Sequence, residues 1–169
     1  MESISRLSEF KSFKEKIEFI KTQKGLEQFQ LILYSKKTVI KSLSLSDYFS
    51  TIDPESSVLS SSFQILEKDN KEQKKLASLC SFHSSHLALC LHIGNNNKAL
   101  GVIFIPYDNP PSNKSRALIL NFKTQIETQI EIKELEQKLS ITNKELSNKL
   151  LEIESLIDVT EIINSQQGL

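Results

Sequence analysis

Between Ser112 and Gln167 the sequence contains neither Gly nor Pro, and its last stretch repeats apolar residues in sevens. Such a run predicts one continuous helix, because the two residues that interrupt helices most strongly are missing. It follows an apolar stretch, Ala99–Tyr107, through Pro110-Pro111-Ser112, where Ser112 or Asn113 is placed to cap the helix. The helix takes about a third of the 169 residues, more than a domain of this size can bury. A strand that feeds so long a helix reads as a relay, carrying a state out of one folded module toward another.

The helix changes its period along its length. Leu118, Phe122, Ile126 and Ile130 step by fours, as a helix lying on a sheet or on another helix does. From Ile132 the step alternates between three and four, through Leu135, Leu139, Thr142, Leu146, Lys149, Ile153, Leu156, Thr160 and Ile163. Seven of these ten a and d sites are aliphatic, which predicts a dimeric coiled coil through Ile132, Leu135, Leu139, Leu146, Ile153, Leu156 and Ile163. The flanking Glu131, Glu136, Lys138 and Asn143 form no charge code that chooses between parallel and antiparallel pairing. The polar d sites Thr142 and Lys149, with Leu150 one step away, predict a weak segment or a local shift of register.

The rest of the composition narrows the class. The chain is 38% hydrophobic and 25% charged with zero formal net charge, a soluble globular balance. Lysines are scattered and only Arg6 and Arg116 are arginines, so no basic footprint points to nucleic acid or an anionic membrane. The N-terminus has charged residues and no apolar h-region, and no apolar run approaches the roughly 20 residues of a membrane helix. Two cysteines without secretory context read as reduced thiols, and the expected compartment is cytoplasmic.

Ahead of the long helix, Ile4, Leu7, Phe10, Phe13, Ile17 and Ile20 form one helical stripe over residues 2–24, with Gly25 as its stop. Phe29–Ser35 reads as a buried strand with Thr38–Leu45 as its hairpin partner. Residues 46–82 are the least periodic, with a helix start at Asp53-Pro54-Glu55, a short strand at Phe63–Leu66 and a short helix over Lys71–Leu79. His86–Ile93 and Ala99–Ile105 predict a hairpin around Gly94–Lys98, where Gly and Asn tolerate the positive φ of tight loops.

In this order of elements, and most of all in the stretch His86–Ile93, the Asn turn and Ala99–Tyr107 with Gly101 after Leu100, the chain resembles a GAF domain, a small-ligand sensor fold of signalling proteins. Arg116–Leu135 is similar to the family's exit helix, and Leu156–Ser165 resembles the helix that opens a further GAF or catalytic module. PAS domains share the sheet and linker logic. The resemblance implies an α+β fold with an antiparallel sheet of about six strands flanked by N- and C-terminal helices and followed by a long coiled-coil helix. Its parts would be an N-terminal bundle helix (1–25), a GAF-like sensor domain (26–131) and a signalling-helix linker (132–169). It also implies a small-molecule pocket closed by the irregular middle segment. The Asn-Lys-Xaa-Asn-Phe…Asp signature of cyclic-nucleotide-binding members is missing at Asn97–Leu100 and at Asn113–Arg116, and no bilin-attachment match surrounds Cys80 or Cys90, so no cofactor is assigned.

One cluster carries every Cys and His of the chain: Cys80, His83, His86, Cys90 and His92. These are the ligand-pocket candidates. Cys80-Xaa-Xaa-His83 and His83-Xaa-Xaa-His86 are feasible zinc or iron spacings. On a strand, His86, Cys90 and His92 share one face and Leu87, Leu89, Leu91 and Ile93 the other. The plainer reading makes Cys90 a small core residue and the histidines surface or pocket-rim groups, so no metal site is assigned. Cys80 and Cys90 can also be written as the nucleophile and resolving thiol of a GAF-type methionine sulfoxide reductase, but no acidic residue flanks either one. Phosphate loops, nucleophile elbows and His-Glu-Xaa-Xaa-His pairs do not occur, and no catalytic residue is assigned.

The expected function is therefore non-catalytic: a regulatory sensor that dimerises through its helices and couples a pocket to an output module of phosphatase, cyclase or kinase type. The alternative is a ligand-free GAF-like scaffold that only dimerises.

Overall fold

The N-terminal apolar stripe folds as two helices rather than one. α1 spans Glu2–Glu9 and α2 spans Phe13–Lys21. The break lies where Ser12 and Glu15 form a capping box. The Ser12 hydroxyl accepts from the Glu15 amide at 3.2 Å, and the Glu15 carboxylate accepts from the Ser12 amide at 3.2 Å. Two N–H groups that a helix start leaves open are thereby satisfied, which favours a fresh start at Phe13 over continuation from α1. α2 ends at Lys21 with Thr22 as its C-cap, four residues before the expected stop. Gly25 does take the left-handed conformation, at φ +82°, but in the turn that leads into the sheet.

The computed structural model describes residues 2–33, 43, 45–48, 63–66, 87–95, 98–107 and 109–168. Among these, the strands are β1 (Gln30–Leu33), β2 (Gln64–Leu66), β3 (Leu87–Asn95) and β4 (Lys98–Tyr107), antiparallel in the order β1-β4-β3-β2. The α+β class holds, but the six-stranded sheet does not. The described sheet has three full strands, β1, β3 and β4, and a three-residue edge piece, β2. Six strands is what the GAF resemblance implies, not what the apolar runs supply. The apolar runs long enough to make strands are few, and β1 hydrogen-bonds to β4, through Gln30↔Phe104 to Leu33↔Gly101. The expected partner at Thr38–Leu45 and the helices at Asp53 and Lys71–Leu79 fall largely or wholly outside the described residues.

The β3–β4 hairpin is the expected one, with its strands running closer to the turn than predicted, to Asn95 and from Lys98. Its register shifts between Ile93 and Gly94, so that Leu100 is an extra residue on β4. Such a bulge re-aims a side chain. Leu100 accordingly joins the core on the same side as Ile103 and Ile105. Gly101 follows because β1 runs close above it. A Cβ there would lie 2.6 Å from the Ile32 carbonyl oxygen and 2.6 Å from Leu33 Cδ2.

The last helix, α3, spans Asn113–Gln167, and Ser112 is its cap, its hydroxyl accepting from the Ser115 amide at 3.1 Å. The chain divides into two compact units, Met1–Ile130 and Glu131–Leu169. In the first, Leu118, Ile119, Phe122, Ile126 and Ile130 of α3 pack with Leu7, Phe13, Ile17 and Ile20 of α1 and α2 against one face of the sheet, where Leu31, Leu33, Leu91, Ile93, Ile103 and Ile105 project. Phe122 meets Phe13 and Phe29 edge to face, with ring centroids at 6.0 and 5.7 Å. The second unit consists of the remainder of α3. Its described side chains from Leu135 onward are all exposed. No helix among the described residues is long and apolar enough to cross a membrane.

Candidate functional site

β3 alternates two kinds of residue. Leu91 and Ile93 enter the helix-covered core, while Cys90 and His92 project from the opposite face, beside Phe104 and Val102 of β4 in the paired register. These four residues are buried and none belongs to the core cluster under the helices, while Gln30 and Ile32 of β1, paired beside Phe104 and Val102, are half-buried. The sheet therefore has two buried faces, and the second carries the only described cysteine and histidine.

Cys90 is where a small core residue is expected. His92, expected at the surface or at a pocket rim, is only 4% exposed, so it is not a surface group. The Cys90 sulfur and His92 Nε2 are 3.8 Å apart. Burial pushes the Cys90 thiol up to about 12, so at neutral pH it keeps its proton and can donate to Nε2. Burial also lowers the His92 pKa, which favours the neutral ring. With Nε2 as acceptor, the ring proton sits on Nδ1. That atom is buried and has no hydrogen-bond partner among the described residues. A buried polar atom left in this state costs about 1–3 kcal/mol, and natural folds keep few of them.

The chemistry follows from these protonation states. A thiol near pKa 12 offers almost no thiolate for attack, so Cys90 as it stands is a poor nucleophile for reductase chemistry. Of the predicted cluster, Cys90 and His92 come together, whereas Cys80, His83 and His86 lie outside the described residues. Among the described residues no three His, Cys, Asp or Glu side chains converge as a metal-binding group.

A second contact lies two residues along β3 from His92. The Gly94 amide donates to the Glu127 carboxylate of α3 at 2.8 Å, and Lys123 holds that carboxylate from the preceding turn at 2.8 Å. Both side chains are largely covered, 13% and 20% exposed, so the pair is better shielded than a surface ion pair. The hairpin and the long helix are thus tied by a charge-assisted bond two residues along β3 from His92. In the sequence the Lys123…Glu127 spacing of four marks this ion pair, whereas Gly94 signals only a turn.

Two grooves open on the helical side of the first unit. One, about 410 Å³, lies between the Gln23–Gly25 turn and the start of α3. The other, about 600 Å³, lies between α1, α2 and α3, where Lys16 donates to Gln125 at 2.5 Å. Neither is lined by Cys90 or His92.

In the second unit the predicted coiled-coil residues Ile132, Leu135, Leu139, Leu146, Ile153, Leu156 and Ile163 are all exposed. Compared with known proteins, the chain matches no family model, no curated protein and no solved structure.

Proposed function

We propose that this chain is a non-catalytic regulatory module of the GAF-type sensor kind, which dimerises through its long helix and passes a change in the folded unit along that helix to an output module. The observation that carries this reading is α3 itself. Up to Ile130 its apolar residues are part of the core, and beyond it thirteen aliphatic side chains, Ile132 to Ile163, are 40–66% exposed. A lone helix in water is marginal, and its stability comes from packing an apolar face. A face of this length calls for a second helix, and the same stripe on another copy supplies one of matching length.

The coupling has a route. A small ligand seated on the Cys90–His92 face would complete the open hydrogen bond of Nδ1. Any shift of β3 there is felt two residues on at Gly94, and from Gly94 at Glu127 of α3. A ligand that favours one of two positions of the helix shifts their populations by its difference in affinity for them. The ligand class that fits is a small, mostly apolar molecule with one polar group, since the buried neighbours across the strand pair are Val102 opposite His92 and Phe104 opposite Cys90. Phosphatase, cyclase or kinase modules all suit such a helix as outputs.

Native mass spectrometry of the full chain and of a truncation after Leu135 tests this reading. The full chain is expected as a dimer and the truncated one as a monomer. An unchanged mass would remove the helix from the association, and with it the relay.

A further inference from the structure

The exposed stripe is not uniform. With Ile132 at an a site, the e sites are Glu136 and Asn143 in the first half, then Leu150 and Ile157 in the second. Val159 adds an aliphatic g site. A seam of a and d residues alone serves a pair of helices, whereas aliphatic residues at a, d and e make the wider face of a helix inside a bundle. Over Leu150–Ile163 a two-stranded seam would cover Ile153, Leu156 and Ile163 and leave Leu150, Leu151, Ile157, Val159 and Ile162 in water. These eight side chains are 49–66% exposed, and a bundle that covers the a, d, e and g sites takes in all of them but Leu151 and Ile162.

We propose that Leu150–Ile163 joins two dimers of this chain into a four-helix bundle of four copies. The proposal rests on the dimer reading above and adds a second contact to it. Charge points to the chain's own copies as the occupant. The acidic residues Glu154, Asp158 and Glu161 fall at b and f sites, which face outward in a bundle, and residues 150–167 contain no Lys or Arg. The widened face itself carries one charge, Glu152 at a g site. A neutral face is matched by a neutral face, and the same segment of another copy offers one of equal length that closes under twofold symmetry. The outward face interleaves Leu151 and Ile162 with the acids Glu154, Asp158 and Glu161, which oppose the approach of further copies.

Sedimentation equilibrium of the full chain over a wide concentration range tests this. The expected result is a dimer–tetramer equilibrium that reaches about four times the 19.2 kDa chain mass. The pair Leu150→Gln and Ile157→Gln, chosen because Gln keeps helix propensity, should leave the species at the dimer. Circular dichroism should show their helix content unchanged. A wild-type chain that saturates at the dimer or forms a trimer overturns the bundle and leaves helix-mediated association standing. A tetramer that survives both Gln substitutions also overturns it. A chain that stays monomeric at every concentration overturns the dimer reading as well.

Discussion

One helix, α3, has two fates. Its stretch Ser115–Ile130 buries Leu118, Ile119, Phe122, Ile126 and Ile130 under a sheet and two further helices, while Ile132–Ile163 leaves every aliphatic side chain at least 40% exposed. Helix propensity hardly differs between the two. What differs is where the packing comes from: the first stretch packs within its own chain, whereas the second, in the proposed dimer, packs against another molecule. The first contribution is independent of protein concentration and the second would follow mass action.

Phe122→Ala is the severest test of that contrast. It removes the ring that Phe13 and Phe29 contact edge to face, and the expected loss is about 3–5 kcal/mol in urea unfolding. That loss should be the same at every protein concentration. Leu146→Ala, in the exposed stretch, should instead lower the midpoint most in dilute samples and progressively less as the protein is concentrated. If both variants show the same concentration dependence, the division of α3 into an internally packed and an externally packed stretch fails.

Gly101→Ala comes next. Its Cβ has no room beneath β1, and forcing the Ile32 backbone and the Leu33 side chain aside should cost about 1–3 kcal/mol. The loss belongs to the first unit and should leave the oligomer mass unchanged. A neutral Gly101→Ala would mean that β1 is free to move away from β4.

How much of this was legible follows from which signals are local. The long helix, its Ser112 cap and the β3–β4 hairpin were readable because a missing Gly or Pro, a capping hydroxyl and an Asn-rich turn act within a few residues. The break at Ser12 was equally local, in Ser12-Phe13-Lys14-Glu15, but the continuous apolar stripe from Leu7 to Ile20 masked it. Strand count was a different matter, because sheet pairing is long-range and the number six was taken from a resemblance rather than from apolar runs. At the candidate site, period-two alternation put Cys90 and His92 on one face correctly. Alternation does not say that a face is buried, and so it leaves His92 open between a surface and a pocket-rim position while the side chain is in fact 4% exposed. The Gly94–Glu127 bond joins residues 33 apart in sequence; the Lys123…Glu127 spacing marks an ion pair along α3, but nothing local joins it to Gly94.

The two buried faces of the sheet should part company with pH. Among the described residues the strands put no cysteine or histidine on the helix-covered face, whereas the other has Cys90 and His92. For Cys90 the folded pKa of about 12 lies above its ordinary 9.0. The unfolded chain therefore loses that proton first, and stability falls as pH rises above 9, by about 1.4 kcal/mol per unit once past it. For His92 the folded pKa lies below its ordinary 6.5, so the unfolded chain binds the proton first. Its contribution is full above pH 6.5 and is lost as pH falls from there through the lowered folded value. Cys90→Ala should flatten the alkaline limb between pH 9 and 10.5, and His92→Gln the limb just below 6.5, both read by thermal melts. A wild-type limb retained in either variant would place that titration elsewhere.

The smallest expected effect sharpens the contrast at the other end of the chain. Ser12→Ala removes the hydroxyl that caps α2, for an expected loss of about 1 kcal/mol, while the Glu15 half of the box can still reach the backbone amide. If the cap is what divides α1 from α2, amide exchange should quicken at Phe13–Glu15 and leave Ile17 and Ile20 protected by the core. Faster exchange along the whole of α2 would mean that its packing depends on the cap. The helix would then resemble the exposed stretch of α3, needing help from outside its own apolar face.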